Sequence, residues 1–136
     1  MLKVFPIQDK KEQQVLCERC GVCFNADLLA YQATVDDQFV GVCQFILKPE
    51  GGILYDLAPL DVNAPDKEAL FVMGRAALNF IDLCGVHQAY FDGDVTVPGQ
   101  KLLEAIGFRA DENQNGRLSM DLTGFFTTPC KHCQGK

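Results

Sequence analysis

Residues 63–92, NAPDKEALFVMGRAALNFIDLCGVHQAYFD, join one long apolar helix to a short aromatic strand. From Ala64 to Cys84 the pattern is helical. Glu68, Arg75, Asn79 and Asp82 recur at spacings of seven, four and three, which puts them on one narrow polar face and predicts burial of the rest. Asn63 is the expected cap, Pro65 falls in the first turn, and three charged residues follow. Gly85 ends the helix, and HQAYFD is short and aromatic enough for a buried strand. Upstream, ILYDLAPLDV (53–62) reads as a strand, with Pro59 at a bulge or an unpaired edge position because proline cannot donate to a ladder. Strand, long helix and strand make a crossover unit, so the two strands are expected to be parallel neighbours.

Working outward, LKVFPI (2–7) reads as a strand and QDKKEQQVLCERCGV (8–22) as a helix stopped at Gly21. DLLAYQATV (27–35) and FVGVCQFIL (39–47) form a hairpin around Asp36 and Asp37, and KPEGG (48–52) turns into the third antiparallel strand. Beyond the crossover, VPGQKLLEAIGF (97–108) is a short helix with Leu102, Leu103 and Ile106 inward and Gly107 just past its end. FRADENQNGRLSMDL (108–122) closes as a hairpin about Asn115-Gly116. The order is β-α-β-β-β-α-β-α-β(-β). It predicts a mixed α/β sheet with helices on its faces, in one domain over residues 1–124 with a cysteine-containing tail over 125–136.

The formal charge is −6, and the twelve Lys and Arg are scattered, which argues against a nucleic-acid or anionic-membrane surface. No apolar run approaches the ~18 residues of a membrane span. With no secretory pattern in MLKVFPIQDKK, a cytoplasmic protein is the expectation. Seven cysteines, an odd number, then point to reduced thiols or a metal rather than a disulfide framework. Cys17, Cys20 and Cys23 form C-x-x-C-x-x-C, and Cys130 with Cys133 forms C-x-x-C around His132. Both spacings let two thiolates reach one tetrahedral ion, so a zinc site of Cys17, Cys20, Cys130 and Cys133 is the sharper expectation. Cys17 packed inward with free tail thiols is the plainer one. Cys43 and Cys84 read as core, His87 as a surface or hydrogen-bonded residue, and Asp92 with Asp94 as a turn.

The element order together with LLEAIGF (102–108) resembles the GNAT acetyltransferase superfamily, in which a similarly spelled helix runs into the final hairpin. The resemblance spans residues 2–122. It implies a GNAT-like fold, transfer of an acetyl group from acetyl-CoA to a small-molecule or peptide amine, and pairing into a homodimer through sheet edges. The diphosphate of the cofactor would fall on PDKEAL, Pro65 to Leu70, with Lys67, Glu68, Ala69 and Leu70 as contacts. Backbone groups at Leu60 and Val62 would pair with the pantetheine arm. PDKEAL matches the family loop at no position: Pro65 stands for its Gln or Arg, and Glu68 and Leu70 for its small residues. The register FVMGRA (71–76) restores a Gly and an Ala but shortens the helix to about three turns. Acids in a first turn repel phosphate and suit an unliganded helix start.

The resemblance assigns Asp56 as the base toward the amine, and places Leu103 where the family has its tyrosine acid and Thr96 where it has an asparagine. Two functions follow. One is an acetyltransferase working through Asp56 or a water. The other is a degenerate scaffold that binds no CoA, with zinc joining its two ends. An enzyme needs free amides at the helix start, whereas a scaffold has that end capped or covered.

Overall fold

In the computed structural model, which describes residues 1–126, the elements are β1 (Leu2–Pro6), α1 (Lys10–Arg19), β2 (Leu29–Val35), β3 (Gln38–Lys48), β4 (Gly51–Leu54), β5 (Ala58–Pro59), α2 (Lys67–Leu83), β6 (Gln88–Phe91), α3 (Gln100–Ile106), β7 (Arg109–Asp111) and β8 (Arg117–Asp121). They build one sheet in the order β1-β2-β3-β4-β6-β8-β7, with β5 also paired to β3. Only the β4–β6 pair is parallel among these strands. This is the crossover expected from residues 53–92, and α2 makes it. Asp36 and Asp37 turn the first hairpin with positive φ, and Asn115 and Gly116 turn the last.

Period-2 alternation in β3 sorts the two faces. Cys43 and Phe45 point to the α2 side, into a core with Leu54, Leu57, Leu70, Met73, Leu78 and Ile81. Val42 points to the α1 side, where it packs with Ile7, Leu16, Cys17, Cys20, Ala30 and Ala58. α2 rides close on the sheet because Gly52 carries no side chain: a Cβ there would lie 2.5 Å from Ile81 Cδ1. Leu70, Leu78 and Ile81 are essentially unexposed. Each such side chain contributes about 1.5–3 kcal/mol by leaving water, which holds the helix to the sheet.

Several expectations are corrected here. The cap of α2 is Asp66 and not Asn63: the Asp66 carboxylate accepts the Ala69 N–H at 3.0 Å, while Asn63 donates its own N–H to Asp61. Proline at 65 cannot cap, since its side chain has no acceptor, and the next acceptor along is Asp66. The strand expected over 53–62 is two pieces, β4 and β5, separated at residues 55–57. Cys84 is exposed rather than core, because it is the C-cap of α2 and lies past the buried face. Phe125 and Phe126 pack on the core, and Phe125 lies 4.9 Å under the Arg75 guanidinium.

Candidate functional site

The break between β4 and β5 is where the sheet opens. β4 and β6 stay paired through Leu54 and Phe91, and Asp92 N–H still donates to Leu54 O at 2.9 Å. Beyond that point β5 pairs only with β3. Gly93 packs against the outer side of Tyr55, so closely that a Cβ would lie 2.2 Å from the Tyr55 carbonyl oxygen.

Asp56 sits in this break. Its carboxylate is half-buried and borders two spaces. On one side is a cleft of about 470 Å³ lined by Cys23, Asn25, Asp27, Leu28, Lys48 and Tyr55. On the other is a slot of about 30 Å³ between Val22, Leu57, Ala58 and Val97. The slot holds little more than one water molecule. Asp56 Oδ2 accepts a 2.6 Å hydrogen bond from Gln44 Nε2, and no cation pairs with the carboxylate among the described residues. Burial raises the carboxyl pKa, and the Gln44 hydrogen bond opposes that rise. A partly desolvated carboxylate without a cation partner on a cleft wall can take up a proton.

The start of α2, at Lys67, falls in the stretch where the resemblance places the diphosphate. Between it and the start of α3 is a space of about 480 Å³ lined by Lys67, Pro98, Gly99, Gln100, Lys101 and Leu102. Of the four residues expected to hold a diphosphate, only Lys67 and Glu68 keep their amides without a bond: Ala69 N–H goes to the Asp66 carboxylate and Leu70 N–H to the Asp66 carbonyl. Asp66 thus takes the place of an anion at the helix mouth. The Leu60 N–H donates to Val40 O at 2.8 Å, in β3. Val62 is exposed in the turn that follows β5.

Leu103 is fully buried in the α2–α3 core and carries no proton to give, and Thr96 is spent on Asp94, 2.6 Å from its hydroxyl. Asp92 is not a ligand but an ion-pair partner, bound through both oxygens by Arg117 at 2.9 and 2.8 Å. His87 bonds Asp82 at 2.6 Å on the surface.

Cys17 and Cys20 are buried between α1 and the sheet, and burial pushes both thiols up to about 12. Forming thiolates there is costly, so the metal expectation draws no support from this pair, whose packing is that of core residues. Among the described residues no three His, Cys, Asp or Glu side chains converge as a metal site. Cys130, His132 and Cys133 lie outside the described residues.

Sequence reasoning did not reveal Gln13 and Gln44. Both are fully buried, and they join α1 to the Asp56 carboxylate through hydrogen bonds of 2.9 and 2.6 Å. The only signal was a polar residue on the inward phase of β3, between Val42 and Ile46.

Comparison with solved structures places this architecture. An acetyltransferase of the GNAT family from Staphylococcus aureus superposes with a TM-score of 0.64 at 11% identity, over 90% of this chain and 99% of that one. The chain has the GNAT acetyltransferase fold. The IAA acetyltransferase of Bacillus cereus gives a TM-score of 0.66 at 16% identity over 90% of this chain and 100% of that one. The PaiA N-acetyltransferase of Thermoplasma acidophilum, solved with coenzyme A, gives 0.67 at 10% over 89% and 99%. No protein-family model matches the chain, and no curated protein matches it in sequence.

No helix among the described residues is long and apolar enough to cross a membrane.

Proposed function

We propose that this protein is an N-acetyltransferase that takes a protonated amine in the cleft beside Asp56, and that Asp56 is its base. The observation that carries the reading is the position of Asp56: an unpaired, half-buried carboxylate at the opening of the sheet, with the cleft on one side and the narrow slot on the other. Asp27 and Asp56 together outweigh Lys48 along the cleft wall, which suits a cationic acceptor. Asp56 takes the proton from the bound ammonium and so frees the nitrogen lone pair.

Acetyl-CoA, the donor implied by the fold, would supply the thioester whose acyl carbon the amine attacks. The α2 backbone does not suit its diphosphate, because Asp66 already caps that end, which is the feature expected of the scaffold. At the level of side chains the residues do suit an anion: Lys67 and Lys101 bracket the space between the two helix starts and would hold the charged end of the donor. Pairing of two chains through sheet edges and a cytoplasmic location remain part of this reading.

Calorimetric titration of the protein with acetyl-CoA, followed by a mass-spectrometric screen of acetylated polyamines and peptide N-termini, tests the reading. One-site binding and a mass gain on an amine support it. No heat up to millimolar donor removes the enzyme and leaves the capped helix of a scaffold.

A sharper check lies at Asp66. Serine caps a helix about as well as aspartate, so Asp66→Ser is expected to leave the melting temperature within 1–2 °C, roughly the width of a few tenths of a kcal/mol. Removing the charge should tighten acetyl-CoA about fivefold, the equivalent of ~1 kcal/mol at a helix terminus. Unchanged or weaker binding would mean that the donor does not reach the start of α2.

A further inference from the structure

We propose that Gln44 is a positioning residue for Asp56: its side-chain amide holds Oδ2 and leaves Oδ1 as the one carboxylate atom that takes the proton of an amine in the cleft. The role of that proton rests on the N-acetyltransferase reading, while the choice of oxygen rests on the hydrogen-bond geometry alone.

The orientation of the Gln44 amide is determined by its neighbours. Nε2 faces two acceptors, the Cys23 carbonyl at 2.9 Å and Asp56 Oδ2 at 2.6 Å. Oε1 faces two donors, Gln13 Nε2 at 2.9 Å and the Asn25 N–H at 3.3 Å. A flipped amide would set oxygen against the Cys23 carbonyl and nitrogen against the Asn25 N–H, losing all four bonds. Gln13 is itself held, because Lys10 Nζ donates to its Oε1 at 3.0 Å and to Leu28 O at 2.6 Å. Since both Gln44 amide hydrogens are committed as donors, a proton on Oδ2 would turn the acceptor of the 2.6 Å bond into a weaker hydroxyl acceptor. Protonation at Oδ1 keeps that bond and is favoured. The balance is simple: the ammonium N–H bond breaks, an O–H bond forms at Oδ1, and the electron pair stays on nitrogen. Loss of that proton to water restores the carboxylate.

Other groups facing Asp56 do not compete for this role. From α1 come the Cys17 and Cys20 thiols, and from β3 the Cys43 thiol, all raised by burial and further by the Asp56 charge, so they stay neutral while Asp56 titrates. Cys23, Asp27 and Lys48 line the cleft with Asp56, and Asp94 lines the slot. No hydrogen bond or ion pair links any of these side chains to the Asp56 carboxylate.

Nuclear magnetic resonance of the wild-type chain tests the geometry without a substrate. The two side-chain amide protons of Gln44 should stay slow in exchange with water and shift together as the Asp56 carboxyl carbon titrates. Gln44 resonances indifferent to that titration would overturn the proposal. Gln44→Met removes the donor, and the Asp56 pKa should then move further up. Gln44→Glu should raise it too, since two carboxyl groups would share one proton. Gln13→Met is the structural control, expected to lower the melting temperature and leave the Asp56 titration in place, because Cys23 and Asn25 still orient Gln44. If Gln44→Met or Gln44→Glu folds and titrates Asp56 as the wild type does, Gln44 holds structure only. An inactive protein with the predicted resonance behaviour would refute the enzyme and keep the hydrogen-bond assignment. With activity, the rise of kcat with pH should follow the Asp56 titration in each variant, while KM for acetyl-CoA stays constant.

Discussion

Asp56→Asn is expected to lower amine acetylation by about 10²- to 10⁴-fold, the usual contribution of a positioned general base. Asparagine keeps the shape and still accepts from Gln44 through its oxygen, but it cannot take a proton. The loss should appear in kcat, with acetyl-CoA binding unchanged. Activity of the wild type should rise with pH through the Asp56 pKa, which burial places above the ordinary value of 3.8. The sign of the stability effect is opposite. Between the unfolded and the raised native pKa, the native chain holds a proton that the unfolded chain has released, so stability falls as pH rises through that window. Above it a charged carboxylate stays partly desolvated. Asp56→Asn removes this loss, so its melting temperature should match the wild type near pH 3 and exceed it at pH 8. Such an exchange of stability for activity is characteristic of a functional group and not of a structural one. Full activity in the asparagine variant would leave a water as base, and a melting temperature below wild type at pH 8 would make Asp56 a structural residue.

Gly93→Ala is expected to be the most damaging small substitution at the site. Its Cβ would meet the Tyr55 carbonyl oxygen at 2.2 Å and the Tyr55 carbonyl carbon at 2.9 Å. Neither can yield, since Tyr55 N–H is bonded to Gln44 O and Asp92 N–H to Leu54 O, both at 2.9 Å. Relief must come from breaking the last rung of the β4–β6 pairing, which displaces Tyr55 and Asp56. A cost of about 3 kcal/mol, at the upper end for overpacking, corresponds to a fall of roughly 10 °C in melting temperature. Gly116→Ala provides the contrast. Its φ is +83° but nothing lies within 4 Å of an added Cβ, so only backbone strain of about 1 kcal/mol is expected. Thermal unfolding of the two variants side by side checks the difference. Equal melting temperatures would mean that the approach of Gly93 to Tyr55 does not hold the opening in shape.

Much of the architecture was legible because local rules and the global fold agree. The apolar run of α2, the turn residues at Asp36-Asp37 and Asn115-Gly116, and LLEAIGF each name one element, and the crossover rule orders two of them. The candidate base, Asp56, came from the resemblance to the GNAT superfamily, and the structure places it in the break between β4 and β5. The start of α2 was not legible. Both Asn63 and Asp66 are good caps, and only the packed position of Leu70 and Met73 against the sheet decides that the helix begins at Lys67.

What the sequence by itself determined is the order of the elements, all but the separate β5, and the parallel β4–β6 pair, because periodicity and the crossover rule act over short stretches of chain. Tertiary structure alone decided the rest. It bonded the Leu60 N–H to β3, spent the Ala69 and Leu70 amides, buried Cys17 and Cys20 as core thiols, and brought Gln13 and Gln44, 31 residues apart, to 2.9 Å. The physical reason is the same in each case. A hydrogen bond or a desolvated thiol depends on which groups meet in space, and residues distant in the chain meet only once the sheet has formed.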